Sequence, residues 1–376
     1  MPYTLMNKNN KLLEFKIEHS ISNETAIEVQ RFSDTLPPSF IDINNWINNR
    51  NYAKHKDHFQ KWLKEWGIDN TEGFINITHC LGLNDTLWVK PTESTLLWDE
   101  VSLYTNQFDD VAKHTAFETG LYGLQLSSTS PEFTSDGSFK KCWSKEKDKI
   151  FLYKQGDSGA SNVGLEPYAE FISSSISHSL NSKTCKYDLV MFKNKLCSKC
   201  ELFTNEEIGY IPFSKYIDLN KIQTLPMVLK TCKDLGFEQE AIDMFVIDAI
   251  TFNNDRHLNN FGFLVNNNSF EIVDFVPYFD FNRSMLTHAT LNDFNNINDY
   301  VHSIRQSIDD LEFRKVATEL LPQASFSLPE EIILPSHPLY NMNKERMNLL
   351  QDVMNQHIQN IKTNHDYYAC LFTSFI

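Results

Sequence analysis

The densest run of chemistry-bearing side chains is FNNDRHLNNFGF (Phe252–Phe263), which sets Asp255, Arg256, His257, Asn259 and Asn260 between two apolar segments. A polar loop pinned by a core helix and a core strand is where reactive groups are held rigidly. A second run, FEIVDFVPYFDFNR (Phe270–Arg283), places Asp274 and Asp280 among Phe, Val and Tyr. Carboxylates in such surroundings must be paired, protonated or metal-bound, because isolated burial of charge is too costly. Phosphoryl transfer uses a matching set of parts. One carboxylate accepts a hydroxyl proton, another joins an Asn amide oxygen in holding Mg²⁺, and a Lys neutralises phosphate oxygens. Asp255 and Asn260 are five positions apart, so one compact loop can turn both towards a point, and Asp280 lies 25 positions beyond Asp255, across a hairpin that can return it. Lys154 ends the strand-like IFLYK, and Glu170 on the next helix is placed to orient it. Two other readings stay open. Asp255 with Asn260 also suits an ordinary polar turn that caps a helix end, and an Asp/Asn/His cluster suits metal-dependent hydrolysis, although a second His or carboxylate at ligand spacing is lacking.

The elements that must position these groups follow from pattern. Tyr3–Glu18 alternates apolar and polar residues around NKNN, which predicts a hairpin. Phe40–Trp46 and His55–Trp66 follow, the latter with Phe59, Trp62, Leu63 and Trp66 at helical spacing. After the Ser/Thr-rich stretch SSTSPEFTSDGS (Ser127–Ser138), short strands are expected at Phe139–Trp143, Lys149–Tyr153, Tyr187–Phe192 and Leu196–Phe203. Glu166–Leu180 reads as a helix opened by Pro167. Glu238–Phe252 is apolar on nearly every face of its second half, the mark of a buried helix. Two short strands, FGFLV and FEIV, are joined by NNNS, and helices are expected at Ile308–Leu321 and Met342–Ile361.

Composition bounds the function. The 376 residues suggest two or three domains at roughly 100–200 residues each. With 41% hydrophobic and 22% charged residues the chain is globular in composition. A formal net charge of −15 repels phosphate backbones, so direct nucleic-acid binding is not expected. No stretch approaches the roughly 20 apolar residues of a membrane span. The opening MPYTLMNKNNKLLEF holds no apolar core of signal-peptide length, and a cytoplasmic location is expected. The seven cysteines are odd in number and scattered, which suits reduced thiols. Cys197 and Cys200 form one CxxC without a second pair, so small buried side chains in a hairpin are preferred to a zinc site.

NNDRHLNNFGF, with PYFD (Pro277–Asp280) downstream, resembles the HipA-like serine/threonine kinases. SPEFTSDGSFKKCW is similar to the phosphate-loop region of a HipA-related subfamily, FLYKQG to its lysine strand, and LEPYAEFISS to the helix with the partner Glu. GLNDTLWVKP and LLWDEVSLY look like that subfamily's N-terminal portion, so matching segments run from about residue 80 to 283. The resemblance implies an α+β, bilobal protein-kinase-like fold. It would comprise an N-terminal α+β extension (1–120) packed on the N-lobe, a mainly β N-lobe (121–204) and a helical C-lobe (205–376). It implies Asp255 as catalytic base, Asn260 and Asp280 as Mg²⁺ ligands with Asp274 competing for that place, and Lys154 on the ATP phosphates, oriented by Glu170. Gly137 and Ser138 would belong to the phosphate loop, Cys200 and Leu202 to the adenine hinge, and His257 would support the loop beside the nucleotide. The pattern departs from protein kinases in lacking GxGxxG and APE and in reading DFN at Asp280.

The function so implied is ATP- and Mg²⁺-dependent phosphorylation of Ser or Thr hydroxyls on a protein. Autophosphorylation of a phosphate-loop serine is part of the resemblance, with Ser127, Ser128, Ser130, Ser135 and Ser138 as candidates. Two alternatives stand beside it. One is a lipid or small-molecule kinase, since D-R-H-x-x-N is also similar to the loop of phosphatidylinositol kinases; the acidic surface disfavours anionic membranes. The other is a pseudokinase or toxin-like nucleotide-binding module acting through a partner. A small DNA-binding antitoxin is the partner that HipA-type toxins imply, and a bacterial cytoplasmic enzyme or a secreted effector are the settings.

Overall fold

Alternating residues at the N-terminus build the first sheet. In the computed structural model, which describes residues 1–20, 24–50, 70–108, 131, 141–157, 164–217 and 224–373 (side chains to 363), the chain opens with β1 (Pro2–Asn7), β2 (Asn10–His19) and β3 (Glu24–Arg31). Then come α1 (Ile43–Arg50), α2 (Thr71–Thr78), β4 (Leu87–Pro91), α3 (Trp98–Val101), β5 (Lys141–Glu146) and β6 (Lys149–Gln155). They are followed by α4 (Glu166–Ser179), β7 (Tyr187–Phe192), β8 (Lys195–Glu201), β9 (Ile208–Pro212), α5 (Phe213–Tyr216), α6 (Leu225–Asp234) and α7 (Glu238–Thr251). The chain ends with β10 (Gly262–Asn266), β11 (Ile272–Phe275), α8 (Ile297–Ser303), α9 (Phe313–Leu320) and α10 (Lys344–Thr373). The His55–Trp66 helix, the Ser127–Ser138 loop and the 120/121 boundary lie outside the described residues.

Two compact units emerge, and neither is continuous in sequence. The first comprises Met1–Tyr153, Leu202–Ile211 and Phe263–Asp274. Its four-stranded antiparallel sheet has the order β3-β2-β1-β4, in register from Tyr3 opposite Phe15 and from Leu5 opposite Val89. Leu5, Leu13, Phe15, Val89, Phe74 and Ile75 fill one core. Trp88 and Trp98 lead a second with Leu83, Val101 and Ile150. A smaller sheet orders β11-β10-β9.

The second unit comprises Lys154–Glu201, Pro212–Gly262 and Phe275–Ile376. It contains the antiparallel β7–β8 hairpin, with Tyr187 opposite Cys200. Helix α7 is its axis: every residue from Ala241 to Thr251 is buried, and α6, α9 and α10 pack against it. The helix expected over Ile308–Leu321 begins only at Phe313. Asp309 and Asp310 adopt φ of +70° and +50°, the left-handed region that a right-handed helix cannot continue through. The Asp309 carboxylate accepts the Leu225 N–H at 3.3 Å instead. The six described cysteines are free, buried thiols. Among the described residues no helix is long and apolar enough to cross a membrane.

Candidate active site

Strand β6 delivers Lys154 in its last turn of alternation, and the side chain is buried. Helix α4 starts with Pro167 in its first turn, where a missing N–H costs nothing. Its buried face holds Glu170, Ser173, Ser174 and Ser177 beside Ile172 and Ile176. These serines fix the helix by hydrogen bonds where apolar contacts alone would let it slide. Ser173 and Ser284 share a hydroxyl pair at 2.6 Å, Ser174 Oγ donates to the Cys185 carbonyl at 2.8 Å, and Ser177 meets Thr184. Glu170 is thereby aimed at Lys154, whose Nζ donates to Glu170 Oε1 at 2.6 Å. The second oxygen of Glu170 accepts the Ser198 hydroxyl from β8.

The same ammonium donates to Asp280 Oδ1 at 2.6 Å. Asp280 sits at φ +61°, a left-handed position that Asp and Asn tolerate better than other side chains with a Cβ. The chain around it is pinned on both sides. Tyr278 forms a parallel bridge with Thr184, and the Asp280 N–H donates to the Tyr187 hydroxyl at 3.1 Å. From the other side Asn253 Nδ2 reaches the Asp280 carbonyl at 3.5 Å, and Arg256 donates to the Phe279 and Asn260 carbonyls, the latter at 2.7 Å.

Arg256 is the hub of the loop. Its side chain and that of Asp248 are both fully buried, and Nε meets Asp248 Oδ2 at 2.7 Å while Nη2 meets Oδ1 at 3.0 Å. Asn253 Nδ2 also donates to Asp248 Oδ1, at 2.8 Å. Helix α7 therefore exits through Phe252, its left-handed cap at φ +56°, into a loop whose path is set by one buried ion pair. Within that loop Asn260 Nδ2 donates to the Asp255 carbonyl at 2.9 Å. Asp248, Asn253, Tyr187 and Ser198 were not singled out in the sequence as site residues. Asp248 carried the clearest signal, a carboxylate in the apolar half of a buried helix, which must find a partner.

Electrostatics tie the groups together. Burial opposes the Lys154 ammonium, but Asp280 and Glu170 outweigh it and hold the lysine charged well above its ordinary range. Burial pushes the Glu170 carboxyl up against the pull of Lys154, with Asp280 adding to the rise. Two carboxylates thus share one ammonium, leaving surplus negative charge. Burial also raises Asp255; His257 opposes the rise and Asp280 reinforces it, which places the Asp255 and Asp280 carboxylates within each other's field. Such a surplus is what a divalent cation balances. Asp280 offers a carboxylate, and Asn260 Oδ1 accepts no hydrogen bond among the described residues. Among those residues no group of three or more His, Cys, Asp or Glu could hold a metal alone. Mg²⁺ asks for less, since it keeps waters and takes phosphate oxygens beside one or two protein ligands.

The structure thus brings Lys154, Glu170 and Asp280 into direct contact and places Asp255 and Asn260 on the adjoining loop. Asp274 lies on β11 in the first unit, so Asp280 is the carboxylate of this pair that contacts Lys154. Cys200 is buried on β8, its thiol pushed well up by the neighbouring Cys185 thiol and by burial, whereas Leu202 belongs to the first unit and donates its N–H to the Ile150 carbonyl at 2.8 Å. His257 is exposed, its Nδ1 accepting the Asn259 N–H at 3.2 Å in a local turn. Gly137 and Ser138, with Ser127, Ser128, Ser130 and Ser135, lie outside the described residues.

Gly156, two residues past Lys154, offers a direct test of this packing. A Cβ there would stand 2.6 Å from Glu166 Oε2 and 2.7 Å from the Gly164 Cα. Gly156→Ala is expected to destabilise the chain by about 1–3 kcal/mol, the usual cost of overpacking, measured by urea unfolding.

The fold is similar to that of HipA-like kinases. The solved structure of the Helicobacter pylori proinflammatory kinase CtkA matches with a TM-score of 0.53 at 20% identity, covering 63% of this chain and 94% of that one. HipA of Shewanella oneidensis MR-1, solved with HipB and operator DNA as a toxin–antitoxin complex, matches with a TM-score of 0.51 at 10% identity over 97% of this chain and 99% of that one. In sequence the chain is similar to the Helicobacter pylori serine/threonine-protein kinase CtkA, 27% identical over 199 residues, which is 47% of this chain. The match spans 61% of the length of that relative. No protein-family profile matches the sequence.

Proposed function

We propose that this chain is an ATP- and Mg²⁺-dependent serine/threonine protein kinase of HipA-like type. The observation that supports it most is Lys154 bridging Glu170 and Asp280 at 2.6 Å each, beside a loop carrying Asp255 and Asn260. In this reading Lys154 binds and orients the nucleotide phosphates, and Glu170 and Ser198 fix the lysine's direction. Asp280 and Asn260 hold Mg²⁺, which when bound neutralises charge on the phosphate oxygens. Asp255 orients the acceptor hydroxyl and takes its proton, while Arg256 and Asp248 keep the loop from shifting. The residues from 1 to about 120 act as an extension of the N-lobe, and the serines between Ser127 and Ser138 are targets of self-phosphorylation. By analogy with the HipA complex, a small antitoxin-like protein is the proposed partner. The test is transfer of ³²P from ATP to protein Ser/Thr and to the chain itself, with phosphopeptides mapped by mass spectrometry. Label that fails to appear, or appears only on added phosphoinositide, overturns the assignment.

The state of Asp255 gives a pH signature. A base works only when ionised, and burial raises this carboxyl above its ordinary value. The acid limb of kcat/KM, which reports groups in the free enzyme, is therefore expected above the roughly 3.9 of an ordinary Asp. Activity is retained above that limb and lost as the pH falls through it. A limb at or below the ordinary value contradicts the role given to burial here.

A further inference from the structure

The chain just after Asp280 is held in a costly shape. Met285 and Leu286, both buried, adopt φ of +52° one after the other. Large side chains rarely enter this left-handed region, and two in succession persist only where the surroundings over-determine them. Three elements do so here. The Met285 N–H donates to the carbonyl of Thr251, at the end of α7, at 2.8 Å. Ser284 pairs its hydroxyl with that of Ser173 on α4 at 2.6 Å and donates its N–H to the Phe281 carbonyl at 3.0 Å. From α10, Arg346 Nη2 donates to the Leu286 carbonyl at 2.7 Å and Nη1 to the Ala289 carbonyl at 2.8 Å.

Arg346 itself breaks local rules. It stands in the first turn of α10, where a cation opposes the helix dipole. The residue is 5% exposed, and its Nε is buried without a hydrogen-bond partner among the described residues. It forms no ion pair with a carboxylate among those residues either, and burial holds the guanidinium below the ordinary arginine range. What offsets a buried cation of this kind is the two carbonyls it grips and the Phe294 ring, 5.4 Å from the guanidinium. Costs of this sort, a strained turn met by an unpaired buried charge, gather where the fold holds a functional group.

We propose that Arg346 is a positioning residue for Asp280, clamping the left-handed turn at Met285–Leu286 so that Asp280 stays turned towards Lys154. The path is short. Ser284 bonds back to Phe281, the residue after Asp280, and its hydroxyl meets Ser173 on the helix that carries Glu170. Releasing the two carbonyls frees the turn to leave its strained backbone, and Asp280 moves with it. The guanidinium does this by two fixed donors, which a single ammonium reproduces only in part.

This inference rests on the kinase reading of the site, so its test pairs two readouts on the full chain: amide hydrogen exchange, which needs no activity, and kcat with KM for ATP. In Arg346→Met with native near-UV circular dichroism, amides of 281–289 are expected to exchange about tenfold faster, the scale of one lost hydrogen bond to a charged group. Those of β1 and β2 should not change. The kcat should fall about 10²-fold, the usual effect of an ångström of misplacement, with KM for ATP near wild type because Lys154 and Glu170 are untouched. Arg346→Lys keeps the charge, serves alone if the Met variant does not fold, and should recover part of both losses. Wild-type exchange of the turn in either folded variant, faster exchange with unchanged kcat, or a Lys variant no better than Met each overturns the proposal. A wild-type chain that transfers no phosphate overturns the kinase reading instead, and exchange alone then decides whether Arg346 holds the turn.

Discussion

Asp280→Asn is expected to abolish phosphoryl transfer while leaving the chain folded. The substitution is close to isosteric, and Asn is the side chain best suited to the φ of +61° at this position. Its backbone contacts, to Tyr187 and from Asn253, do not involve the carboxylate. What is lost is charge. Lys154 keeps one of its two carboxylate partners, Glu170, and the proposed Mg²⁺ site loses its only anionic ligand. The expected fall in kcat is at least about 10³-fold, the scale on which transition-state charge stabilisation acts. Near-wild-type turnover in a folded Asp280→Asn would remove Asp280 from the metal site.

Arg256→Met is expected to be the most damaging single substitution for stability. The guanidinium and the Asp248 carboxylate are both fully buried, and their hydrogen bonds extend to the Asn260 and Phe279 carbonyls. Removing one member of a buried pair leaves an uncompensated charge, which costs about 3–5 kcal/mol. For a chain of this size the midpoint of thermal unfolding should fall on the order of 10 °C. Converting the pair together, Arg256→Met with Asp248→Leu, should recover much of the stability yet not the activity, because the carbonyls that Arg256 steers would remain loose. A double variant with wild-type turnover would show that the ion pair does not position the loop.

How much of this the sequence disclosed follows from the kind of interaction involved. Local patterns were legible. Strand alternation located β1, β2 and β7, Pro167 marked the start of α4, and the apolar run of α7 announced a buried helix. The charged groups around Lys154 were also legible, because carboxylates among aromatics demand partners. The wiring was not. Tyr187, Ser198 and the serines of α4 act through contacts between segments far apart in sequence, such as Ser173 with Ser284, 111 positions away. Serines on a helix carry no signal that separates a solvated face from a hydrogen-bonded one. Asp309 and Asp310 shortened α9 for a similar reason. Their left-handed backbone is held by the fold, with Asp309 bonded to Leu225, while helical periodicity continues past them in the sequence. Asp274 and Asp280 look alike in sequence, and it took the partition of the chain to set one on β11 and the other beside Lys154.

The central claim is that Asp255 acts as the base of a phosphoryl transfer at this cluster. Its most direct test pairs two readings on Asp255→Asn: ATP affinity in the presence of Mg²⁺, and ³²P transfer to protein hydroxyls. Affinity is expected to stay close to wild type, since Lys154, Asn260 and Asp280 are untouched. Transfer is expected to fall by about 10²–10⁴-fold, the usual contribution of a positioned base. Undiminished transfer by a folded Asp255→Asn that still binds ATP would contradict the account.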